Sequence, residues 1–326
     1  MADPAATPVS PRPEVPAPGL WRRLGQTLRR WVDSGPAAES VAPSTGPQRV
    51  DWPRILPFVA LHAGCLGALW VGWSPVAVGV AVALYAIRMF AITAFYHRYF
   101  SHRAFKTSRA AQFIFAVLGN SAVQRGPLWW AAHHRKHHRH SDEPPDVHSP
   151  RVHGFWWSHM GWITSRENFA TDLKQVPDLA RFPELRFLDR FNVIVPLLLA
   201  VGLYALGAAL GPAWGTSGGQ MLVWGFFIST TVLFHATCTI NSLAHVWGRR
   251  RYETSDDSRN NFWLALLTFG EGWHNNHHRH PAAVRQGHRW WEIDLSSYGL
   301  ALLAAVGVIW DRKTLPKHVR EGRIAP

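Results

Sequence analysis

The sequence is poor in cysteine, which limits the kinds of metal site and cross-link that it can build. Its 326 residues include two cysteines, Cys65 and Cys238, and both lie inside long apolar segments. Two cysteines cannot form a disulfide framework or a zinc site made of thiolates. We interpret both as small buried hydrophobic residues.

Charged residues are also scarce, at 17% of the chain against roughly 25% in soluble proteins. Hydrophobic residues make up 47% and form apolar blocks at 55–73, 76–95, 191–210 and 221–243. Each block has about 20 residues, the length that crosses a bilayer core of roughly 30 Å. The sequence therefore predicts an all-α, polytopic membrane protein with four transmembrane helices in two hairpins.

Acidic residues are few beside basic ones, 21 against 34, which gives a net charge of +13. The connections 74–75 and 211–220 contain no Lys or Arg, whereas 97–190 and the region after 248 are rich in both. The positive-inside rule then predicts that both termini and the central segment are cytoplasmic. We assign the basic charge to membrane lipids and expect no nucleic-acid partner.

Residues 1–48 contain nine of the 23 prolines and no long apolar run, which predicts a disordered basic tail before one membrane domain at 49–326. Within the tail, residues 19–31 place Leu and Trp at helical spacing beside four arginines. An amphipathic helix on a membrane surface and a solvated basic segment both remain open. Shorter apolar pieces at 111–123, 262–269 and 298–310 are expected to be interfacial or re-entrant helices, or to pack against a cytoplasmic domain.

Histidine is abundant, with 19 residues concentrated in four clusters next to apolar segments. The clusters read "HRYFSH" (97–102), "HHRKHHRH" (133–140), "NSLAH" (241–245) and "EGWHNNHHRHP" (271–281). Residues at i, i+3 and i+4 share a helix face, so His134, His137 and His138 project together. The same spacing groups His274, His277 and His278. His97 and His102 are five apart, so the helix must end or turn between them, or the pair must straddle two metal ions.

About nine imidazoles beside one membrane face suggest two metal ions, because one zinc ion normally takes four ligands. Imidazole binds iron, zinc, copper or nickel. One such cluster alone could be a basic surface patch. His62 and His235 lie within spans and could be hydrogen-bonded core residues or line a substrate path. The remaining histidines are expected next to the ligands or at the surface: His133, His140, His148, His153, His159, His280, His288 and His318.

"HRYFSH", "HRKHH", "NSLAH" and "EGWHNNHHRHP", in this order, resemble the membrane fatty acyl-CoA desaturases of the stearoyl-CoA (Δ9) type. The resemblance covers about residues 55–317. It implies four transmembrane helices capped by a cytoplasmic helical domain that holds two irons. The implied iron ligands are His97, His102, His134, His137, His138, His245, His274, His277 and His278, and Asn241 would hold a water on one iron.

The resemblance also implies the reaction, an O2-dependent introduction of a cis double bond, at Δ9, into a long-chain acyl-CoA or another acyl lipid. Electrons would come from a separate donor, a ferredoxin or a b-type cytochrome with its reductase, since the chain has no segment for such a group. We expect a multi-pass protein of a bacterial inner membrane rather than the endoplasmic reticulum. Zinc could replace iron in purified protein, because imidazole sites accept both.

Further residues are expected to support this site. Carboxylates that orient the ligands are predicted at Asp142, Asp146, Glu271 and Asp294. Arg125 and Arg151 are candidates for the substrate headgroup. We expect the acyl chain to lie in a tunnel around the second span and residues 124–132.

Two rival functions remain at this point. A related di-iron hydroxylase would add oxygen to the lipid instead of removing hydrogens. A metal transporter would place its ligands at mid-membrane, whereas nearly all of these histidines lie beyond the span ends. The sequence leaves open the double-bond position, the chain length, the acyl carrier, the electron donor, the oligomeric state and which histidine binds which iron.

Overall fold

The computed structural model describes residues 19–35 and 48–320, without the side chains of Leu20, Arg23, His318 and Arg320. The tail predicted at 1–48 therefore lies mostly outside the described residues, as does the side chain of His318. Among the described residues, four helices are long and apolar enough to cross a membrane. This confirms the predicted all-α membrane fold with four spans.

The spans are built from consecutive helical segments. The first contains Trp52–Gly64, Cys65–Gly67 and Ala68–Val71; the second contains Pro75–Phe90 and Ala91–Ser101; the third is Ile194–Trp214; the fourth contains Gly218–Gln220, Met221–Ile228, Ser229–Asn241 and Leu243–His245. Each lies within a few residues of its predicted block, except that the second continues six residues beyond 95.

The span ends follow from local capping. Ser74 accepts a hydrogen bond from the Ala77 amide at 3.1 Å and so begins the second span. Gly72 has φ 65° in the tight connection before it, a conformation that favours glycine. The third span ends at Gly215, which is left-handed with φ 65°. These caps fix two hairpins whose other ends, at Ser101 and His245, lie beside the histidine clusters; we call this end the histidine side.

Among the described residues, seven longer helices lie outside the spans and are labelled in chain order. They are α1 (Leu20–Val32), α2 (Arg109–Asn120), α3 (Pro127–His140), α4 (Pro183–Arg190), α5 (Phe262–Leu267), α6 (His274–Arg279) and α7 (Leu295–Ala305). Single turns occur at Pro150–His153, Trp157–Gly161, Trp162–Thr164, Arg166–Asn168, Leu173–Gln175, Pro177–Ala180 and Lys317–Arg320, and strands β1 (Lys106–Thr107) and β2 (Ile309–Trp310) pair antiparallel.

Helix α1 is held against the membrane domain by its C-terminal end. Asp33 accepts two hydrogen bonds of 2.8 Å from the Arg190 guanidinium, which lowers the pKa of this carboxyl. The Trp31 indole donates to the Pro53 carbonyl at 2.9 Å. Leu24 and Leu28 are exposed on its outer face. The described part of the predicted tail is thus an ordered helix with an unpartnered apolar face.

The short apolar pieces of the sequence form α2, α5 and α7 and pack on the histidine side of the second span. Tyr85 of that span donates to the Leu267 carbonyl at 2.6 Å. Thr93 lies 2.6 Å from the Ser296 hydroxyl of α7. The largest buried apolar cluster surrounds the second half of the second span, with Phe95 and Phe115 stacked at 3.8 Å between centroids. This core anchors the elements that carry the histidines.

Candidate metal centre

The second span ends in a widened helix that brings the first two histidines together. Residues Ala91–Ser101 form π-type turns, in which hydrogen bonds join residues five apart. The His102 amide accordingly donates to the His97 carbonyl at 3.2 Å. The helix ends at Ser101, and the two rings lie 4.8 Å apart between centroids. The pair therefore lies in one cluster and does not straddle two.

The third group of histidines is placed by a tight turn before α6. A Cβ on Gly272 would lie 2.1 Å from the Ala265 nitrogen and 2.5 Å from the Asn261 oxygen, so the chain passes directly over the start of α5. Gly270 has φ 120°, another conformation that favours glycine. Two backbone positions that accept glycine alone therefore direct His274 and its neighbours inward.

Among the described residues, the nine predicted histidines form two groups whose ring nitrogens lie within 4.8 Å of one another. One group is His97, His102, His134, His138 and His277; the other is His137, His245, His274 and His278. Both HxxHH motifs contribute to both groups. A shared helix face therefore contributes histidines to two adjacent groups.

Within each group the Nε2 atoms face one another. His102 and His134 Nε2 atoms are 2.7 Å apart, and His277 Nε2 lies 3.0 Å from that of His97. In the second group, His245 and His274 Nε2 atoms are 3.1 Å apart. Converging Nε2 atoms are the arrangement that a bound metal ion requires.

Carboxylates occupy the opposite ring nitrogens. Glu271 lies 2.5 Å from His97 Nδ1, Asp146 2.9 Å from His137 Nδ1 and Asp142 2.8 Å from His245 Nδ1. These are three of the four carboxylates that the sequence singled out. Each accepts the Nδ1 proton and so leaves the lone pair on Nε2, which points into the cluster.

A fourth carboxylate, Asp256, was missed by sequence reasoning. Its Oδ2 lies 2.6 Å from His278 Nδ1. Asp256 lies in a polar loop 22 residues before its partner, and no spacing rule connects them. Its only sequence signal was its position among the acidic residues of "ETSDDS" (253–258).

Asp294, the remaining predicted carboxylate, contacts no ligand histidine in the structure. It pairs with Arg98 at 2.9 Å and also caps α7 through the Ser297 amide. Arg98 in turn pairs with Glu271 at 3.0 Å. Asp294 thus supports the His97–Glu271 contact through an arginine.

The protonation states favour metal binding. Burial, together with neighbouring imidazoles, holds the pKa of His102, His134, His138, His274 and His277 well below the usual value. Burial lowers the pKa of His278 to about 4 despite its bond to Asp256. Burial alone would raise the pKa of Asp142, but bonds from His245 and other donors outweigh it and lower that pKa. The site therefore combines neutral imidazoles with ionised carboxylates.

Buried ring nitrogens without hydrogen-bond partners indicate whether the site suits a metal ion. His278 donates through Nδ1 to Asp256, so its Nε2 carries a lone pair, and this buried atom has no hydrogen-bond partner. His277 Nε2 lies 3.0 Å from His97 Nε2 and 2.9 Å from His138 Nε2, so three imidazole nitrogens face one another in the other group. Buried lone pairs without donors are costly unless a cation lies between them. The donor set fits two metal ions with nitrogen ligands.

A cavity of about 530 Å³ leads to this centre. Trp130, which stacks on His134 at 5.0 Å between centroids, lines it, as do His134 and Asn241. Asn241 is the last residue of a helical segment of the fourth span. Its placement between the cavity and His245 is compatible with the predicted water-holding role.

The walls of the cavity differ from the predicted tunnel. Residues 124–132 contribute, as expected, but no described residue of the second span lines the cavity. The other walls include the first span (Ile55, Pro57, Phe58, Ala60, Leu61), the third span with the residue before it (Val193, Pro196, Leu197, Ala200) and the fourth span (Phe226, Phe227, Phe234, Thr237, Cys238). The second span is used instead in the core that carries the first histidine pair.

The two predicted headgroup arginines lie in different places. Arg125 lines the cavity, and its guanidinium lies 5.2 Å from the ring centroids of both Trp129 and Phe169. Burial lowers the pKa of Arg125 to about 9. Arg151 is an exposed residue 3.6 Å from Asp257 and does not line the cavity. Arg54, which the sequence did not single out, joins Arg125 on the cavity wall and stacks on Phe169 at 4.1 Å.

Similarity to known proteins agrees with this architecture. The sequence model of the fatty acid desaturase family matches residues 53–299. The sn-1 stearoyl-lipid 9-desaturase of Anabaena variabilis is 37% identical over 281 residues, 85% of this chain and 99% of that protein. The palmitoyl-monogalactosyldiacylglycerol delta-7 desaturase of Arabidopsis thaliana is 39% identical over 76% of this chain and 65% of its own length. An acyl-CoA 5-desaturase of Anemone leveillei is 36% identical over 81% of this chain and 80% of its length. With a family match over most of its length and these identities, the chain belongs to the fatty acid desaturase family.

Proposed function

We propose that the protein is an O2-dependent desaturase that introduces a cis double bond into a long acyl chain, at a centre of two irons. One observation carries this proposal: a largely apolar cavity reaches His134, a member of one of two adjacent histidine groups whose Nε2 atoms converge. Two irons held there would supply, with dioxygen, the oxidising power to remove two hydrogens from an unactivated alkyl chain, which no side chain can do.

The protein's own residues hold and shield this centre. Glu271, Asp142, Asp146 and Asp256 keep their partner imidazoles in the tautomer that presents Nε2. Phe58, Leu61 and Phe234 exclude water from the acyl chain beside the fourth span. The cavity wall thus confines the reaction to a hydrocarbon segment next to the two histidine groups.

The polar part of the cavity suits a headgroup with anionic or carbonyl oxygens. Arg54 and Arg125 flank Phe169, and in the described structure the buried Nη2 of Arg54 and Nε of Arg125 have no hydrogen-bond partner. Buried guanidinium donors without partners favour a ligand that accepts hydrogen bonds. We assign the ester end of the substrate to this pair, with Arg151 outside the site.

The acyl group is proposed to be carried by a membrane lipid. Leu197 lines the cavity between the first and third spans, yet its side chain is 62% exposed, so the cavity opens towards the lipid-facing surface. A bilayer lipid can enter there sideways. Two of the relatives named above act on lipid-linked chains by name, and the Δ9 position follows the Anabaena relative. An acyl-CoA substrate is the second candidate, favoured by the Anemone relative and the basic surface.

Partners and sidedness complete the proposal. A separate ferredoxin or b-type cytochrome with its reductase would deliver electrons to the histidine side. That side is proposed to be cytoplasmic, in a bacterial inner membrane, because the basic residues concentrate there.

Expression in a host that lacks unsaturated fatty acids tests the activity. We expect lipid profiling by mass spectrometry to show products that have lost two hydrogens. His277→Ala should abolish these products, and His140→Ala, at a partly exposed histidine outside both groups, should retain them. Products that gain oxygen would indicate a hydroxylase, and equal unsaturation with wild type and His277→Ala would refute the proposal.

The acyl carrier is tested separately with purified protein in vesicles. Isotope-labelled stearoyl chains are supplied either as phosphatidylglycerol or galactolipid in the bilayer, or as stearoyl-CoA in solution. We expect desaturation of the lipid-linked chain without release from glycerol. Conversion of stearoyl-CoA alone would establish the second candidate.

A further inference from the structure

Three histidines outside both metal groups form a chain of hydrogen bonds. His62 of the first span lies 3.1 Å from His235 of the fourth, measured between their Nε2 atoms. His235 Nδ1 lies 3.0 Å from Nε2 of His159, in the turn Trp157–Gly161. His159 Nδ1 lies 2.9 Å from the Ser242 hydroxyl oxygen. The chain thus runs from the first span to the end of the fourth.

The two ends of this chain have fixed bond directions. His62 Nδ1 lies 2.9 Å from the Phe58 carbonyl, which can only accept, so Nδ1 carries the proton of this ring. With its proton on Nδ1, His62 accepts from His235 through Nε2. At the other end, the Ser242 hydroxyl donates to the Cys238 carbonyl at 3.0 Å, so its oxygen accepts from His159 Nδ1.

The His62 end of this chain excludes a simple proton wire. Proton transfer along imidazoles requires each ring to release a proton from one nitrogen after taking one on the other. His62 Nδ1 faces a helix carbonyl, so the chain has no outlet at that end. The nearly parallel planes of His159 and His235, 12° apart, instead suit a fixed in-plane hydrogen bond.

The other end of this hydrogen-bond chain contacts the fourth span at the point where its helix type changes. The α-helical segment stops at Asn241, and Leu243–His245 forms a tighter 3₁₀ turn. His159 forms a hydrogen bond with the Ser242 hydroxyl. The adjacent Ser158 donates to the Asn241 carbonyl at 2.9 Å. Ser158 also contacts the His148 carbonyl. Neighbouring residues therefore hold both sides of the point where the helix ends.

These contacts determine the position of His245. The His245 amide donates to the Ser242 carbonyl at 3.3 Å, so the position of Ser242 sets the turn that carries His245. His245 faces His274 in the four-histidine group. A shift of Ser242 would move His245 and Asn241, whereas the five-histidine group contains no residue of this segment.

We propose that His62, His235 and His159 are positioning residues that hold the end of the fourth span for metal binding by the four-histidine group. The inference rests on the proposed metal centre. It assigns to His62, a residue within the first span, control over one of two metal sites.

Substitutions at His62 separate the hydrogen bond from the volume of the ring. His62→Phe keeps a ring and breaks the bond to His235. His62→Gln retains an amide that can donate to Phe58 and accept from His235. We expect two irons per chain in wild type and His62→Gln but about one in His62→Phe, with affinity at the weakened site reduced about 10- to 100-fold, as for other outer contacts of metal ligands. Metal content and chelator titration give both values.

A second measurement avoids the metals altogether. In metal-free protein, hydrogen exchange at the amides of residues 243–246 should be about tenfold faster in His62→Phe than in wild type or His62→Gln. Exchange in α3 should be the same in all three. Ser242→Ala, which removes the hydroxyl that bonds His159 and Cys238 and adds no bulk, should reproduce both effects if His62→Phe fails to fold.

The control is Cys65→Ala, since Cys65 bonds Thr231 across the same two spans at 3.4 Å but is not in the chain. It should keep two metals. The inference is overturned if His62→Phe and Ser242→Ala keep two metals at full affinity, if they lose both metals equally, or if Cys65→Ala behaves like them. Wild-type protein that binds no metal would refute the proposed centre itself.

Discussion

Asp256 illustrates how a single carboxylate can decide the chemistry of a ligand. Its bond to His278 Nδ1, at 2.6 Å, leaves Nε2 free to bind a metal. Burial alone would raise the pKa of Asp256, but the bond and charge of His278 outweigh it and lower that pKa. The carboxylate is therefore ionised at neutral pH.

We expect Asp256→Asn to weaken metal binding about 10- to 100-fold, because an amide is uncharged and no longer fixes the tautomer of His278. Chelator competition measures the affinity. Glu143→Gln is the matched control, since Glu143 pairs with His140 at 3.2 Å on the exposed surface. Equal affinities for wild type and Asp256→Asn would contradict the role given to this carboxylate.

His288 makes stability depend on pH for a related reason. Burial lowers its pKa to about 3, with further lowering by nearby cationic groups such as Arg251. An unfolded histidine titrates near pH 6.5, so below that value the unfolded state binds more protons than the folded state. Stability is therefore lost as the pH falls from about 6.5 towards 3, at up to about 1.4 kcal/mol per pH unit.

We expect His288→Phe to remove this contribution. Its melting temperature should fall less between pH 7 and pH 5 than that of wild type, measured in metal-free protein in detergent. His140→Phe, at a partly exposed histidine, should leave the wild-type pH dependence unchanged. An identical pH dependence in wild type and His288→Phe would show that another group dominates.

At the scale of elements, two local departures from the α-helix set the site. The sequence placed His97 and His102 at a helix end but contained no sign of π-type turns, because these are retained by packing around Phe95 and Tyr99 rather than by residue preference. The i, i+3, i+4 rule did find the common face of each HxxHH motif. It could not show that the histidines of one helix face divide between two groups.

The turn before α6 offers a sharp test at this scale. Gly272→Ala places a methyl group 2.1 Å from the Ala265 nitrogen, so the backbone must move and carry His274 with it. We expect at least about tenfold lower activity together with reduced metal content. The control is Gly79→Ala, where the added methyl meets nothing within 4 Å. Wild-type metal content in Gly272→Ala would mean that α6 is positioned by other contacts.

At the scale of the whole molecule, the cavity belongs to no single element. It needs the first, third and fourth spans and the start of α3 together. If it holds the acyl chain, Ala200→Phe, which fills part of it, should shift products to shorter chains or lower turnover of stearoyl substrates severalfold. Ala205→Phe, on the exposed face of the same span, should keep the wild-type chain-length profile in mass spectrometry. An unchanged profile for Ala200→Phe would place the chain elsewhere.

Sidedness is also a property of the whole molecule. With Cys65 and Cys238 replaced by Ala, a cysteine at Trp214 should react with a membrane-impermeant maleimide in intact cells, and a cysteine at Lys174 only after lysis. Both native residues are exposed, so both labels can reach their targets. The reverse pattern would place the histidine side outside the cytoplasm.

The sequence by itself determined the four spans, the two hairpins and the nine clustered histidines, because apolar length and helical spacing are local properties. Three carboxylates beside the histidines were also within reach, since they lie near the motifs in the chain. Only the tertiary structure decided that the histidines divide into two groups and that Asp256 bonds His278. It also decided that Asp294 pairs with Arg98 instead of a histidine, and that the second span does not line the cavity. Each of these depends on contacts between residues far apart in sequence, whose distances are fixed by packing between elements and not by spacing along the chain.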